Sequence, residues 1–143
     1  MVAARDAVTP ESARNLDAVR RGFAGIAAGS VDAMLESYTD DLVLELPYAS
    51  PPKVVSGKEA IAEYLGAAFT VLRFVLEITD VHELVDPTML VLEYTSEGRV
   101  LSTGRAFANR YIGIYWFRDG QVRRVREFYN PMLTADALRP ELL

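Results

Sequence analysis

The chain contains no cysteine, which excludes disulfides, thiolate metal sites and a cysteine nucleophile. Its single histidine, His82, rules out a histidine-rich metal centre, so that on counting alone only a carboxylate-rich metal site stays open, and none is assigned. Lysine is confined to Lys53 and Lys58, and no excess of basic residues exists: 15 Lys and Arg stand against 20 Asp and Glu, a net charge of −5. Phosphate contacts need a concentrated basic surface, so a nucleic-acid partner is not expected. No apolar run approaches the roughly 18 residues needed to span a bilayer. The opening MVAARDAVTPESARNLD is too polar for a signal peptide, so the expectation is a soluble, cytoplasmic protein without a membrane partner.

Half of the 143 residues are hydrophobic, enough for one real core, and residues 1–143 are expected to form a single domain. The periodicity predicts a helix from about Thr9, with Thr9 as N-cap, Pro10 at the first helical position and Leu16, Val19, Phe23 and Ile26 as its buried stripe. Ser30 caps a second, short helix, and Thr39-Asp40-Asp41 is expected to break it before a strand LVLEL. YASPPKVVSG, rich in proline, reads as a loop. Ser56 is then expected to cap a third helix, with Glu59 completing a capping box. Strands follow at about Val71 to Leu84 and Met89 to Thr95, with turns at Asp86-Pro87 and Glu97-Gly98. The closing MLTADALRPELL ends in a helical turn or tail. Three helices gathered ahead of a mostly antiparallel sheet imply an α+β class in which the sheet curls around the helices, leaving a cone that holds either a ligand or packed side chains.

The last two long strands, in GRAFANRYIGIYWFRDGQVRRVREFYNP, are joined at Asp119-Gly120, a pair suited to a tight hairpin. Alternation puts Val125, Glu127 and Tyr129 on one face and Arg124, Arg126 and Phe128 on the other. Asn109, Tyr111, Gly113 and Tyr115 share a face of the preceding strand, with Ile112, Ile114 and Trp116 opposite. Glu127 is therefore either a rim charge, ion-paired to Arg110 or an arginine of its own strand, or a carboxylate held among apolar neighbours with a raised pKa, a candidate proton shuttle. The Arg123, Arg124 and Arg126 cluster reads as a solvated sheet face with cross-strand ion pairs.

RGFAGIAAGSVDAMLESYTDDLVLELP, SGKEAIAEYL and DGQVRRVREFYNP, in that order, resemble the SnoaL-like and ketosteroid-isomerase-like branch of the nuclear transport factor two (NTF2-like) superfamily, over about Ala18 to Leu138. The resemblance implies a cone-shaped fold that hosts isomerases, cyclases, hydrolases and binding proteins. Ketosteroid isomerases carry a tyrosine where this chain has Gly22, a general-base aspartate where it has Leu46, and an oxyanion-hole aspartate at about Gly113. All three groups are replaced. The replacements imply a roomier, more apolar cone, with Phe23 and Val125 also on its wall. REFYNP also resembles the phenazine-biosynthesis A/B branch, in which the corresponding glutamate is an acid/base group in cofactor-free chemistry; carried over, that role falls on Glu127. That branch also uses a histidine, and His82 cannot be aligned with it.

The function expected on this basis is cofactor-free isomerisation or cyclisation of a bulky, mainly apolar secondary metabolite, polyketide-like in character. Glu127, Tyr129 and Asn109 are the candidate catalytic residues, with Gly22, Phe23, Leu46, Tyr111, Gly113, Tyr115 and Val125 around the substrate. A non-catalytic binding or assembly protein is the alternative, and epoxide opening a lower-ranked third. The apolar outer face of the sheet, with Trp116, Ile112, Ile114 and Phe128, predicts a homodimer through it.

Overall fold

Thr9 caps the first helix as its sequence demands: its hydroxyl accepts from the Ser12 amide at 3.2 Å, and Pro10 opens α1, Pro10–Ala27. The computed structural model describes residue 7 and residues 9–139. Leu16, Val19, Phe23 and Ile26 of α1 are all buried, and full burial of such a side chain stabilises by roughly 1.5–3 kcal/mol. Ser30 caps α2, Val31–Leu35, by accepting from the Ala33 amide. There follow β1 (Tyr38–Leu46), β2 (Lys53–Ser56), α3 (Lys58–Phe69), β3 (Leu72–Glu83), β4 (Met89–Val100), β5 (Ala106–Arg118), β6 (Gln121–Tyr129) and α4 (Pro131–Ala137). One six-stranded sheet runs in the order β2-β1-β6-β5-β4-β3, antiparallel throughout except where β1 lies parallel to β6. The α+β class is as expected, with a fourth helix at the C-terminal end. The helices α1 and α3 cover one face of the sheet, and the core lies between them and the inward side chains of β1, β3, β4, β5 and β6.

Asp119 and Gly120, at φ 52° and 76°, form the β5–β6 turn, a conformation that this residue pair accepts at low cost. Four local expectations are corrected. Thr39-Asp40-Asp41 does not break the chain but opens β1, its acidic side chains ion-paired outward to Lys58 and Arg118. The segment after Ala49 is not all loop, since Lys53–Ser56 pairs with Val43–Leu46 as β2. Ser56 is therefore held in that ladder opposite Val43, and Gly57 stands at the N-cap of α3 with no side-chain cap. Glu97-Gly98 is not a turn: β4 runs on to Val100, and a side chain at Gly98 would collide with the backbone oxygen of Arg73 on the neighbouring strand. Of the closing segment, residues up to 137 form α4, and residues 140–143 lie outside the described part. Among the described residues no helix is long and apolar enough to cross a membrane.

Candidate functional site

The curled sheet and the helices enclose a cavity of about 200 Å³. Phe23 of α1, Tyr38 and Leu46 of β1, Tyr64 of α3, Tyr111 and Tyr115 of β5, and Val125, Glu127 and Tyr129 of β6 all contribute to its wall. Strand register explains the arrangement. Tyr94, Tyr111 and Tyr129 lie side by side across β4, β5 and β6, and the next row inward is Leu92, Gly113 and Glu127. The first row is an aromatic ladder, with Tyr94 and Tyr111 stacked at 5.1 Å between ring centroids and Tyr111 and Tyr129 tilted by 46° at 6.2 Å.

Gly113 is the gap in the second row, and the gap is used. A Cβ there would stand 2.6 Å from the Tyr115 ring and 2.7 Å from the Tyr94 hydroxyl. Tyr94 therefore leans across the glycine and donates its proton to Oε2 of Glu127, the residue directly opposite Gly113. Gly22 serves in the same way, because a Cβ on it would meet the Tyr38 hydroxyl at 2.9 Å. This corrects the expectation of a roomier cone: the volume released by the two glycines is occupied by Tyr38, Tyr94 and Tyr115, and neither glycine is itself on the cavity wall. At about 200 Å³ the space is below the roughly 300–1,000 Å³ usual for drug-sized ligands, so it suits a compact molecule rather than a bulky one.

Glu127 is partly buried and lies on the cavity wall. Among the described residues no ion pair to Glu127 holds its pKa down. Arg124 and Arg126 point to the other face, where both bind Glu45 of β1, at 2.6 Å and 2.8 Å, and flank Trp116 at 5.5 Å and 5.2 Å. Burial pushes the Glu127 pKa up from the ordinary 4.5, and the hydrogen bond from Tyr94 opposes the shift in part. In turn, burial and then the charge of Glu127 raise the pKa of Tyr94.

Proton counting fixes the rest. Tyr94 has one proton, given to Glu127, so in its 3.1 Å contact with Tyr115 it accepts, and the order is Tyr115 to Tyr94 to Glu127. Tyr111 gives its proton to Ser96 at 2.9 Å. Tyr111 and Tyr115 thus meet a ligand with ring faces, while the hydroxyls of Tyr38, Tyr64 and Tyr129 and Oε1 of Glu127 hold no such commitment.

Asn109 is brought elsewhere. Its amide donates to the Asn130 carbonyl at 2.8 Å and to the Thr134 hydroxyl at 3.2 Å, while its oxygen accepts from the Arg110 and Asn130 amides. With all of its bonds made to protein and no place on the cavity wall, it fastens α4 to the sheet instead of facing substrate. His82 is half exposed on β3, 2.7 Å from Glu93; its register row is that of Arg126, next to Glu127, but it stands three strands away and on the opposite face of the sheet. Among the described residues no group of three or more metal-ligating side chains converges. Tyr94, Tyr38 and Tyr64 are the residues that sequence reasoning missed. For Tyr94 the signal was present, since it shares strand parity with the buried Leu90 and Leu92.

The SnoaL-like domain family matches residues 19–125. The chain belongs to the SnoaL-like family. A PhzA/B-like protein of Pseudomonas aeruginosa is 32% identical over 67% of this chain and 70% of its own length. A Bacillus subtilis structure, provisionally described as an isomerase, superposes with a TM-score of 0.84 at 25% identity, covering 90% of this chain and 95% of that one. A provisionally described polyketide cyclase of Pseudomonas putida superposes at 0.74, with 19% identity over 87% of this SnoaL-like chain and 98% of its own, a likeness of fold. The SnoaL-like family and its NTF2-like fold are thereby established.

Proposed function

We propose that the protein is a cofactor-free isomerase or cyclase acting on a compact, mainly apolar molecule, with Glu127 as its proton-moving group. The observation that carries the reading is a carboxyl on the cavity wall, partly buried, without a cationic partner among the described residues and held by Tyr94. A carboxyl beside a bound molecule can take a proton from one atom and return it to another, which is what shifting or closing a conjugated system requires. Tyr129 is the second candidate, on the wall with its hydroxyl free to donate to a substrate oxygen. Val125, Leu46 and Phe23 make the wall apolar, and the ring faces of Tyr111 and Tyr129 would orient a flat substrate. A cytoplasmic setting belongs to this proposal.

The test is single-turnover kinetics on small enolisable ketones. Glu127→Gln should retain binding and lose roughly a hundredfold or more in rate. An unchanged rate refutes the assignment of Glu127. The commitment of the Tyr111, Tyr115 and Asn109 protons to other protein groups favours a second reading, a binding module that retains ligand and converts none.

The proposal includes a homodimer through the outer sheet face. Ile112 is 47% exposed there, beside Phe128 and the Trp116 ring with its two arginines. Light scattering should give twice the chain mass at micromolar concentration; the monomer mass refutes it.

A further inference from the structure

The cavity presents one acid and no base. Among the described lining residues Glu127 is the only carboxyl, and none is a lysine, arginine or histidine. The titratable groups whose interactions reach Glu127 are Tyr38, Tyr64, Tyr94, Tyr111, Tyr115 and Tyr129, from α3 and four strands, and all of them are neutral near pH 7. The nearest arginines in sequence, Arg124 and Arg126, are bound to Glu45 across the sheet. An ionised carboxylate in such a place lacks the partner that a buried charge requires. An aromatic wall supplies the rest of a cation site, because ring faces attract positive charge most strongly where water is excluded.

We propose that the cavity is a site for a small hydrophobic ammonium, its charged nitrogen against Oε1 of Glu127 and its hydrocarbon part against the tyrosine rings. This names the substrate class of the site described above and rests on reading the cavity as the substrate site. Oε2 already accepts from Tyr94, which leaves Oε1 for the ligand. The ammonium supplies the missing partner, so that Glu127 gives its proton to the medium on binding. A neutral ligand gains only an ordinary hydrogen bond. An anion finds no cation and is repelled by the carboxylate. The volume of about 200 Å³ limits the ligand to a single ring with a short chain.

Three matched probes test this: 4-phenylbutylamine, 4-phenylbutan-1-ol and 4-phenylbutanoate, titrated calorimetrically into the intact protein. The amine should bind about tenfold or more tighter than the alcohol, and the carboxylate weakest. Amine affinity should rise as pH rises above the ordinary 4.5, over a range in which the amine stays charged, and alcohol affinity should not. Glu127→Gln should remove the amine's advantage while the alcohol still binds, which also shows that the variant is folded. Alcohol binding equal to or tighter than amine binding in the unmodified protein overturns the proposal and leaves the cavity standing as a substrate site. Failure of all three probes to bind overturns both.

Discussion

The Tyr94 hydroxyl reaches Oε2 of Glu127 by crossing over Gly113, so that a residue without a side chain on β5 decides the setting of a carboxyl on β6. Because Tyr115 donates to Tyr94 in turn, the three side chains act as one ordered chain of hydrogen bonds. Tyr94→Phe should break it at its centre. The hydrogen bond from Tyr94 favours the charged form, so its loss should raise the Glu127 pKa further, and the buried Tyr115 hydroxyl loses its acceptor. A destabilisation of about 1–3 kcal/mol in urea unfolding is expected, with an upward shift of the carboxyl titration. A downward shift contradicts this ordering of protons.

Gly113→Ala tests the gap itself. The new Cβ would stand 2.6 Å from the Tyr115 ring and 2.7 Å from the Tyr94 hydroxyl, both in a packed interior. Overpacking of this kind costs typically about 1–3 kcal/mol, and the displaced Tyr94 should release Glu127. Urea midpoints measure the first effect, and the Glu127 titration the second.

The fold was legible where local chemistry and periodicity agree. Thr9, Ser30 and Asp119-Gly120 are caps and turns whose residue types act locally, and they stand where the pattern put them. Gly98, Ser56 and the Asp40-Asp41 pair misled because each is settled by a strand distant in sequence: Gly98 by β3, Ser56 by β1, and Asp41 by Arg118 at the end of β5. The site shows the same division. Alternation placed Glu127, Tyr129, Val125, Tyr111 and Tyr115 on one face, whereas parity alone could not reveal that Asn109 is used by Asn130 and Thr134, or that Tyr94 fills the space over Gly113.

Asn109→Ala should loosen α4. The amide is 3% exposed and joins β5 to Asn130 and Thr134, so truncation leaves buried groups without partners. A loss of about 1–3 kcal/mol is expected, with faster hydrogen exchange across Pro131–Ala137. Unchanged exchange in α4 contradicts the fastening role.

Stability should depend on pH through Glu127 with a definite sign. The folded protein holds this proton to higher pH than the unfolded chain, so between the ordinary 4.5 and the raised folded value the native state binds more protons. The contribution of Glu127 to stability therefore falls as pH rises through that window and is level above it. Urea denaturation of the protein and of Glu127→Gln across this range should show the unmodified protein losing ground to the variant as pH rises. A difference that is constant with pH, or that moves the other way, contradicts the burial of an unpaired carboxyl.

The protonation state of Glu127 is the quantity on which the site, the proposed proton transfer and the ammonium preference all depend. It can be read directly by carbon-detected NMR titration of the labelled carboxyl, assigned by its disappearance in Glu127→Gln. The expected result is a neutral carboxylic acid that persists above pH 4.5, with a midpoint clearly higher than that value and higher again in Tyr94→Phe. A midpoint at or below 4.5, as for a solvated or ion-paired glutamate, would contradict the account at its centre.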